Sequence, residues 1–250
     1  NRLPYIACQG NHDLGHIAAE YRYSMMPDYI YPERNIQFEK TLVSTGTNYE
    51  GIHTMENAAF EFENETWGKL LVIAFEFAPR DEALDWARQL IESDRFKNHT
   101  VIILTHSFLL NNGERIVNEG YKLTPRNWAQ AVWDKLIYPS KNIKLVLCGH
   151  TGTPPQMNGS EKVDYHTTTA CRVDPAADGH KVVQMMFNSQ NGDGSWNGNG
   201  GDCWLRILEF KPDGKTIGIR TFSPLFALSR RTQHMAWRTD AYDQFSITIE

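Results

Sequence analysis

The sequence predicts an α/β sandwich. A sheet of buried, partly parallel strands carries helices on its outside and packs on a second, largely antiparallel sheet. Three observations predict it. Residues 69–77, 100–105 and 143–148 are continuous apolar runs of strand length, the pattern of strands covered on both faces. Segments with apolar residues at helical spacing lie between them, so strand and helix alternate. Beyond Gly152 the texture changes to strand-like runs with no strong helix between them.

Taken in order, residues 4–9 are a short apolar run ending at Gly10 and predict a buried strand. Residues 14–23 predict a short helix of weak periodicity. Residues 24–57, rich in Tyr, Pro, Asn and Gly, read as a long loop over something functional. In residues 58–65, Phe60 and Phe62 alternate with Glu61 and Glu63, as in a half-exposed strand. Pro79 opens a helix in which Leu84, Ala87 and Leu90 with Ile91 share one face. Asp81 and Glu82 occupy its first turn, where the helix dipole favours acids. A second helix spans 128–137, with Trp128, Val132 and Leu136 at helical spacing. Strands follow at 165–173, 181–187, 203–210, 216–222 and 245–249, mostly antiparallel, with a hairpin turn at Lys211-Pro-Asp-Gly-Lys215 and a Gly/Asn-rich loop at 188–202. Residues 1–250 are expected to form a single domain, with 203–250 as its C-terminal antiparallel strands.

Composition excludes several function classes. The 250 residues include 25 Lys plus Arg and 30 Asp plus Glu, a formal net charge of −5. A mildly acidic chain has no global pull toward nucleic acid or anionic lipid, so neither is expected as a partner. No apolar run approaches the roughly 20 residues of a membrane helix. No signal peptide is visible, and the chain opens on Asn1 ahead of an apolar run, so it reads as a piece cut from something longer. Four cysteines without a C-x-x-C pair argue against a Cys-based zinc site. Cys8 and Cys148 read as buried inert thiols, while pairing of Cys171 with Cys203 stays open. No G-x-S-x-G surrounds a serine, and neither H-E-x-x-H nor a phosphate-binding P-loop occurs. Glu61/Glu63 and Asp81/Glu82 fit a wet strand face and a helix N-terminus better than glycosidase carboxylates. Asn191 to Ser195 lacks the glycine and closing Glu of a calcium loop.

The chemistry concentrates at strand ends. The three runs at 4–9, 100–105 and 143–148 lead into Gly10-Asn11-His12-Asp13, Thr105-His106-Ser107 and Gly149-His150-Thr151. Ligands of open α/β sheets sit outside the carboxyl ends of the strands. Asn11, His106 and His150 can therefore converge on one point, where two imidazoles and an amide oxygen suit Zn, Mn, Fe or Co.

These motifs resemble the calcineurin-like metallophosphoesterases. The residues that carry the resemblance are GNHD at 10–13, the post-strand His106, and Gly149-His150 as the start of the family's G-H-x-H. FEFAPRDEALDW at 75–86, WDKLIYPSKNIKLVLCGH at 133–150 and VVQMMFNSQ at 182–190, followed by GNGGDCWLRILEF, extend it to a bacterial, exported branch. The resemblance implies a four-layer sandwich of two mixed sheets flanked by helices, with the N-terminal strands missing, and a periplasmic or secreted location. It implies divalent metal ions, two in the parent enzyme, with Asn11, His106 and His150 as ligands of the second. It makes His12 the general acid that protonates the leaving oxygen, held and polarised by Asp13. The substrate would be a small phosphate mono- or diester, attacked by metal-activated hydroxide.

The pattern breaks in two places. The family's upstream D-x-H and G-D-x-x-D would fall before Asn1, and the last histidine of G-H-x-H is Gly152 here. At most one ion is expected to be well held, and this piece is expected to be weakly active or inactive. Circular permutation through Asp164-Tyr165-His166 is disfavoured, because residues 156–163 are too polar for the strand that would present it. The alternatives are a catalytically impaired relative acting as a binding or scaffold module, and a carbohydrate-processing enzyme using Trp196. His16, His53, His99, His166, His180 and His234 are read as helix-face, loop or surface histidines. Oligomeric state is not legible.

Overall fold

The computed structural model describes residues 3–152, 168–190 and 201–249. Two short helices, α1 (Met26–Tyr29) and α2 (Phe38–Thr41), precede an antiparallel pair, β1 (Leu42–Thr47) and β2 (His53–Asn64). Strand β3 (Gly68–Ala74), helix α3 (Asp81–Glu92), strand β4 (Thr100–Leu104), helix α4 (Ala129–Val132) with a π-turn over Trp133–Ile137, and strand β5 (Ile143–Cys148) then alternate. Strands β3, β4 and β5 pair in parallel. Next come β6 (Thr169–Pro175) and β7 (Lys181–Phe187), which complete a seven-stranded sheet of order β1-β2-β3-β4-β5-β7-β6. A second sheet is built on the hairpin β8 (Leu205–Phe210) and β9 (Thr216–Phe222). Helix α5 (Pro224–Ala227) leads to β10 (Trp237–Arg238) and β11 (Phe245–Thr248), both antiparallel to β9.

The pleat of the large sheet sorts its side chains between two cores. Val101, Ile103, Val146, Val182 and Met186 join Leu84, Ala87 and Ile91 of α3 and Val132, Leu136 and Ile137 beyond it. Ile102, Leu145, Val183 and Met185 face the other way, onto Ile217, Ile219 and Ile247 of the second sheet and onto Ile249. Both faces are covered, which is why these strands read as unbroken apolar runs. The π-turn continues the face that Trp128, Val132 and Leu136 predict. Among the described residues no helix is long and apolar enough to cross a membrane.

Several expectations are corrected. Residues 4–9 form no strand. A strand needs a neighbour's ladder, and this segment instead crosses the ends of β3 and β4 through its side chains. Cys8 Sγ lies 3.5 Å from Phe75 O, Gln9 Nε2 donates to Glu56 Oε1 at 2.7 Å, and Gln9 Oε1 accepts from Phe77 N at 3.1 Å. Residues 14–23 form no helix, because Gly15 and Ala19 take φ of 73° and 53°. The Glu20 carboxylate also occupies the amides of His16, Ile17 and Ala18. The long loop at 24–57 contains α1, α2, β1 and the start of β2. Strand β1 escaped notice because Leu-Val-Ser-Thr-Gly-Thr is half-buried and carries no clean alternation. The C-terminal half is mostly antiparallel, as expected, and β7 pairs with β5 in parallel. All four cysteines are free. Burial pushes the thiols of Cys8 and Cys148 up to about 12, as inert thiols require.

Candidate metal-binding site

Each candidate ligand is delivered by the backbone just past a strand or turn. Thr105 N–H donates to Leu147 O at 3.0 Å, which carries the β4–β5 register one residue beyond β4 and sets His106 at the sheet edge. Gly149 N–H then donates to His106 O at 2.9 Å and places His150 alongside. Asn11 comes from the other side, at the start of a 3-10 turn over Asn11–Asp13.

The three side chains meet. Asn11 Oδ1 lies 3.0 Å from His106 Nε2, and the rings of His106 and His150 are 4.7 Å apart between centroids. Gly10 permits this approach: a Cβ there would sit 3.1–3.3 Å from three atoms of the His106 ring. His150 adopts φ 67°, a left-handed conformation unusual for a residue with a Cβ. The Asn188 side chain secures it by donating to His150 O at 3.0 Å. Phe77 packs edge-on against His106, His150, Tyr121 and Trp128 and forms the apolar wall behind both imidazoles. Burial, helped by the neighbouring His150, pushes His106 down to about 4. Its ring is therefore neutral near pH 7 and offers a nitrogen lone pair.

The sequence reading missed three residues that surround this group. Glu119 Oε1 lies 3.0 Å from His150 Nε2, and Glu119 Oε2 accepts from Ser107 Oγ at 2.9 Å. Tyr121 OH accepts from Asn11 Nδ2 at 3.0 Å. Glu119 and Tyr121 lie in an irregular connection without periodicity, so no sequence signal points to them. Phe77 was read only as part of a buried run.

His12 and Asp13 follow Asn11 in the same 3-10 turn, and both are exposed. The expected pairing of Asp13 with His12 is not formed. Asp13 Oδ2 accepts from Gly10 N at 2.7 Å and closes its own turn. His12 Nδ1 lies 2.7 Å from Ile17 O, so Nδ1–H donates to that carbonyl and Nε2 is left as the other working atom. A cavity of about 690 Å³ opens beside them, walled by Tyr21, Tyr23, Met25 and Tyr29. Of the remaining histidines, His16 is exposed against Tyr21, and His53 contacts Thr45 at the start of β2. His99, directly before β4, is buried against Glu61, and His180 pairs with Asp178. His166, Trp196 and the Asn191 to Ser195 stretch lie outside the described residues.

Asn11, His106 and His150 are the residues that could hold a divalent cation of borderline softness. Among the described residues no group of three His, Cys, Asp or Glu side chains that could hold a metal ion is found. Gly152 is exposed and offers no side-chain donor.

Two imidazoles and an amide oxygen thus gather at the carboxyl edge of a mixed sheet, the edge where open α/β proteins bind their ligands. The family can be stated outright. The model of the calcineurin-like phosphoesterases matches residues 1–154, and the chain belongs to that family. It is also 23% identical over 254 residues to the "Uncharacterized protein YvnB" of Bacillus subtilis (strain 168), covering 99% of this chain and 16% of that one. The chain thus spans a small part of this curated relative. Among solved structures, NAD nucleotidase (NadN) of Haemophilus influenzae is similar at 10% identity over 73% of this chain and 28% of that chain, with a TM-score of 0.30.

Proposed function

We propose that the chain belongs to the catalytic part of a metal-dependent phosphoesterase that hydrolyses a small phosphate mono- or diester. The observation that carries this is the meeting of Asn11, His106 and His150 at one sheet edge, with exposed His12 next to Asn11 in the same turn. A bound divalent cation supplies positive charge against the phosphoryl oxygens and makes water more acidic. Neutral His106 keeps a lone pair for coordination, and Phe77 with Trp128 keeps water off the apolar side of the rings. His12, its Nδ1–H donated to Ile17 O, protonates the leaving oxygen from Nε2 as the imidazolium and is left neutral. Asp13 holds the turn that presents His12. The leaving group lies toward the tyrosine-walled cavity. We also propose that the parent protein is exported.

The purified full-length parent with Mn²⁺ or Zn²⁺ should hydrolyse p-nitrophenyl phosphate or its bis-ester, and His12→Ala should remove that activity. No turnover with any divalent metal would overturn it. A non-catalytic binding role is favoured by one feature, the absence of a donor at Gly152. Tight metal binding without turnover would support that role.

A further inference from the structure

Two of the three candidate ligands are contacted by one short segment. Glu119 and Tyr121 are separated by a single residue in the connection between β4 and α4. Glu119 reaches His150 Nε2 at 3.0 Å, and Tyr121 OH accepts from Asn11 Nδ2 at 3.0 Å. Neither partner is itself loose. Ser107, next to His106, donates to the second oxygen of Glu119 at 2.9 Å, and Tyr121 is packed against Phe77, Trp128 and His150. The side chains of Glu119 and His150 are 13% and 17% exposed, so the contact is largely removed from water.

We propose that residues 119–121 form an outer brace that selects which atoms of Asn11 and His150 face a metal ion. It deepens the function proposed above and rests on it. An amide has a donor end and an acceptor end that differ little in shape. Only the oxygen can coordinate a cation. Tyr121 OH takes the amide nitrogen, so Oδ1 is the end turned to His106. An imidazole has two nitrogens, and a neutral ring can coordinate only through the one without a proton. A carboxylate beside Nε2 keeps the proton there. Nδ1 of His150, which has no hydrogen-bond partner among the described residues, is then the coordinating atom. Carboxylates commonly orient ligand histidines in this way, and their loss costs about 10- to 100-fold in metal affinity. Glu119 and Tyr121 are thus positioning residues that act through His150 and Asn11.

The test uses the metal-free chain and the chain titrated with Mn²⁺ or Zn²⁺ alone. Long-range ¹H–¹⁵N spectra read the tautomer of His150, and calorimetry reads the metal Kd. Wild type should show His150 protonated on Nε2. Glu119→Ala should shift it toward the other tautomer and weaken the metal by about 10- to 100-fold, with unfolding temperature as the control for folding. Glu119→Gln keeps an acceptor oxygen and should hold the wild-type tautomer and a Kd within a few-fold. Tyr121→Phe should weaken the metal without moving the tautomer. The proposal is overturned if Glu119→Ala leaves tautomer and Kd unchanged. It is equally overturned if Glu119→Gln is as damaging as Glu119→Ala, because the carboxylate would then be a ligand itself. Failure of wild type to bind any metal would sink the proposed function, while the tautomer comparison would still decide the role of Glu119.

Discussion

Gly10 lies directly beneath the imidazole of His106, close enough that a single added methyl would touch three ring atoms at 3.1–3.3 Å. The φ of Gly10 is −102°, which any residue can adopt, so the glycine is needed for space and not for backbone freedom. The first motif and the second strand end are thus coupled by one missing side chain.

Gly10→Ala should therefore act through His106. Crowding of a packed site costs about 1–3 kcal/mol. A thermal or urea melt should show that loss, and metal affinity should fall with it because the ring must move. An unchanged melt and an unchanged Kd together would show that the ring gives way freely.

Phe77 is the shared wall of the site, held at both backbone ends. Its N–H donates to Gln9 Oε1 at 3.1 Å and its carbonyl accepts from Arg22 Nη1 at 3.1 Å. Phe77→Ala should cost about 3–5 kcal/mol, the usual range for a fully buried phenylalanine. Phe77→Leu should cost clearly less while still loosening both imidazoles, measurable as broadened His106 and His150 resonances.

Glu76 sits between two guanidiniums behind that wall, 2.9 Å from Arg80 Nε and 3.6 Å from Arg22 Nη1, with its side chain 3% exposed. Removing one partner of a buried ion pair leaves uncompensated charge, so Glu76→Gln should destabilise by about 3–5 kcal/mol in equilibrium unfolding. A change below 1 kcal/mol would mean that water reaches the arginines.

Asp213 gives a pH-dependent prediction far from the site. Hydrogen bonds from the Thr216 hydroxyl and from the amides of Thr216 and Lys215 hold its carboxyl down to about 2. A folded-state value below the unfolded one stabilises above the ordinary value of 3.8 and is lost as pH falls through about 2. Asp213→Asn should therefore melt lower than wild type at pH 6, and the difference should close as pH falls from 4 to 2. A difference that persists at pH 2 would place its origin outside the carboxylate.

The order of residues alone determined the strand–helix alternation from β3 to β5, the helix after Pro79, the Lys211 to Lys215 turn and the meeting of Asn11, His106 and His150. These were legible because their causes are local or periodic. A strand covered on both faces must be apolar throughout, and chain topology carries its end to the same edge as its parallel neighbour's. Tertiary structure decided the rest. Residues 4–9 look like a strand but have no described ladder to join, so their side chains close the ends of other strands. Strand β7 pairs with β5 in parallel, and the second sheet covers the face that Val183 and Met185 share with Leu145. Asp13 accepts from the Gly10 amide, while His12 Nδ1 is taken up by Ile17 O. Glu119 and Tyr121 reached the site across more than a hundred residues from Asn11, through an aperiodic connection whose path depends on packing against Phe77 and Trp128. Contacts of that kind arise only when distant segments share a core, and no local pattern encodes them.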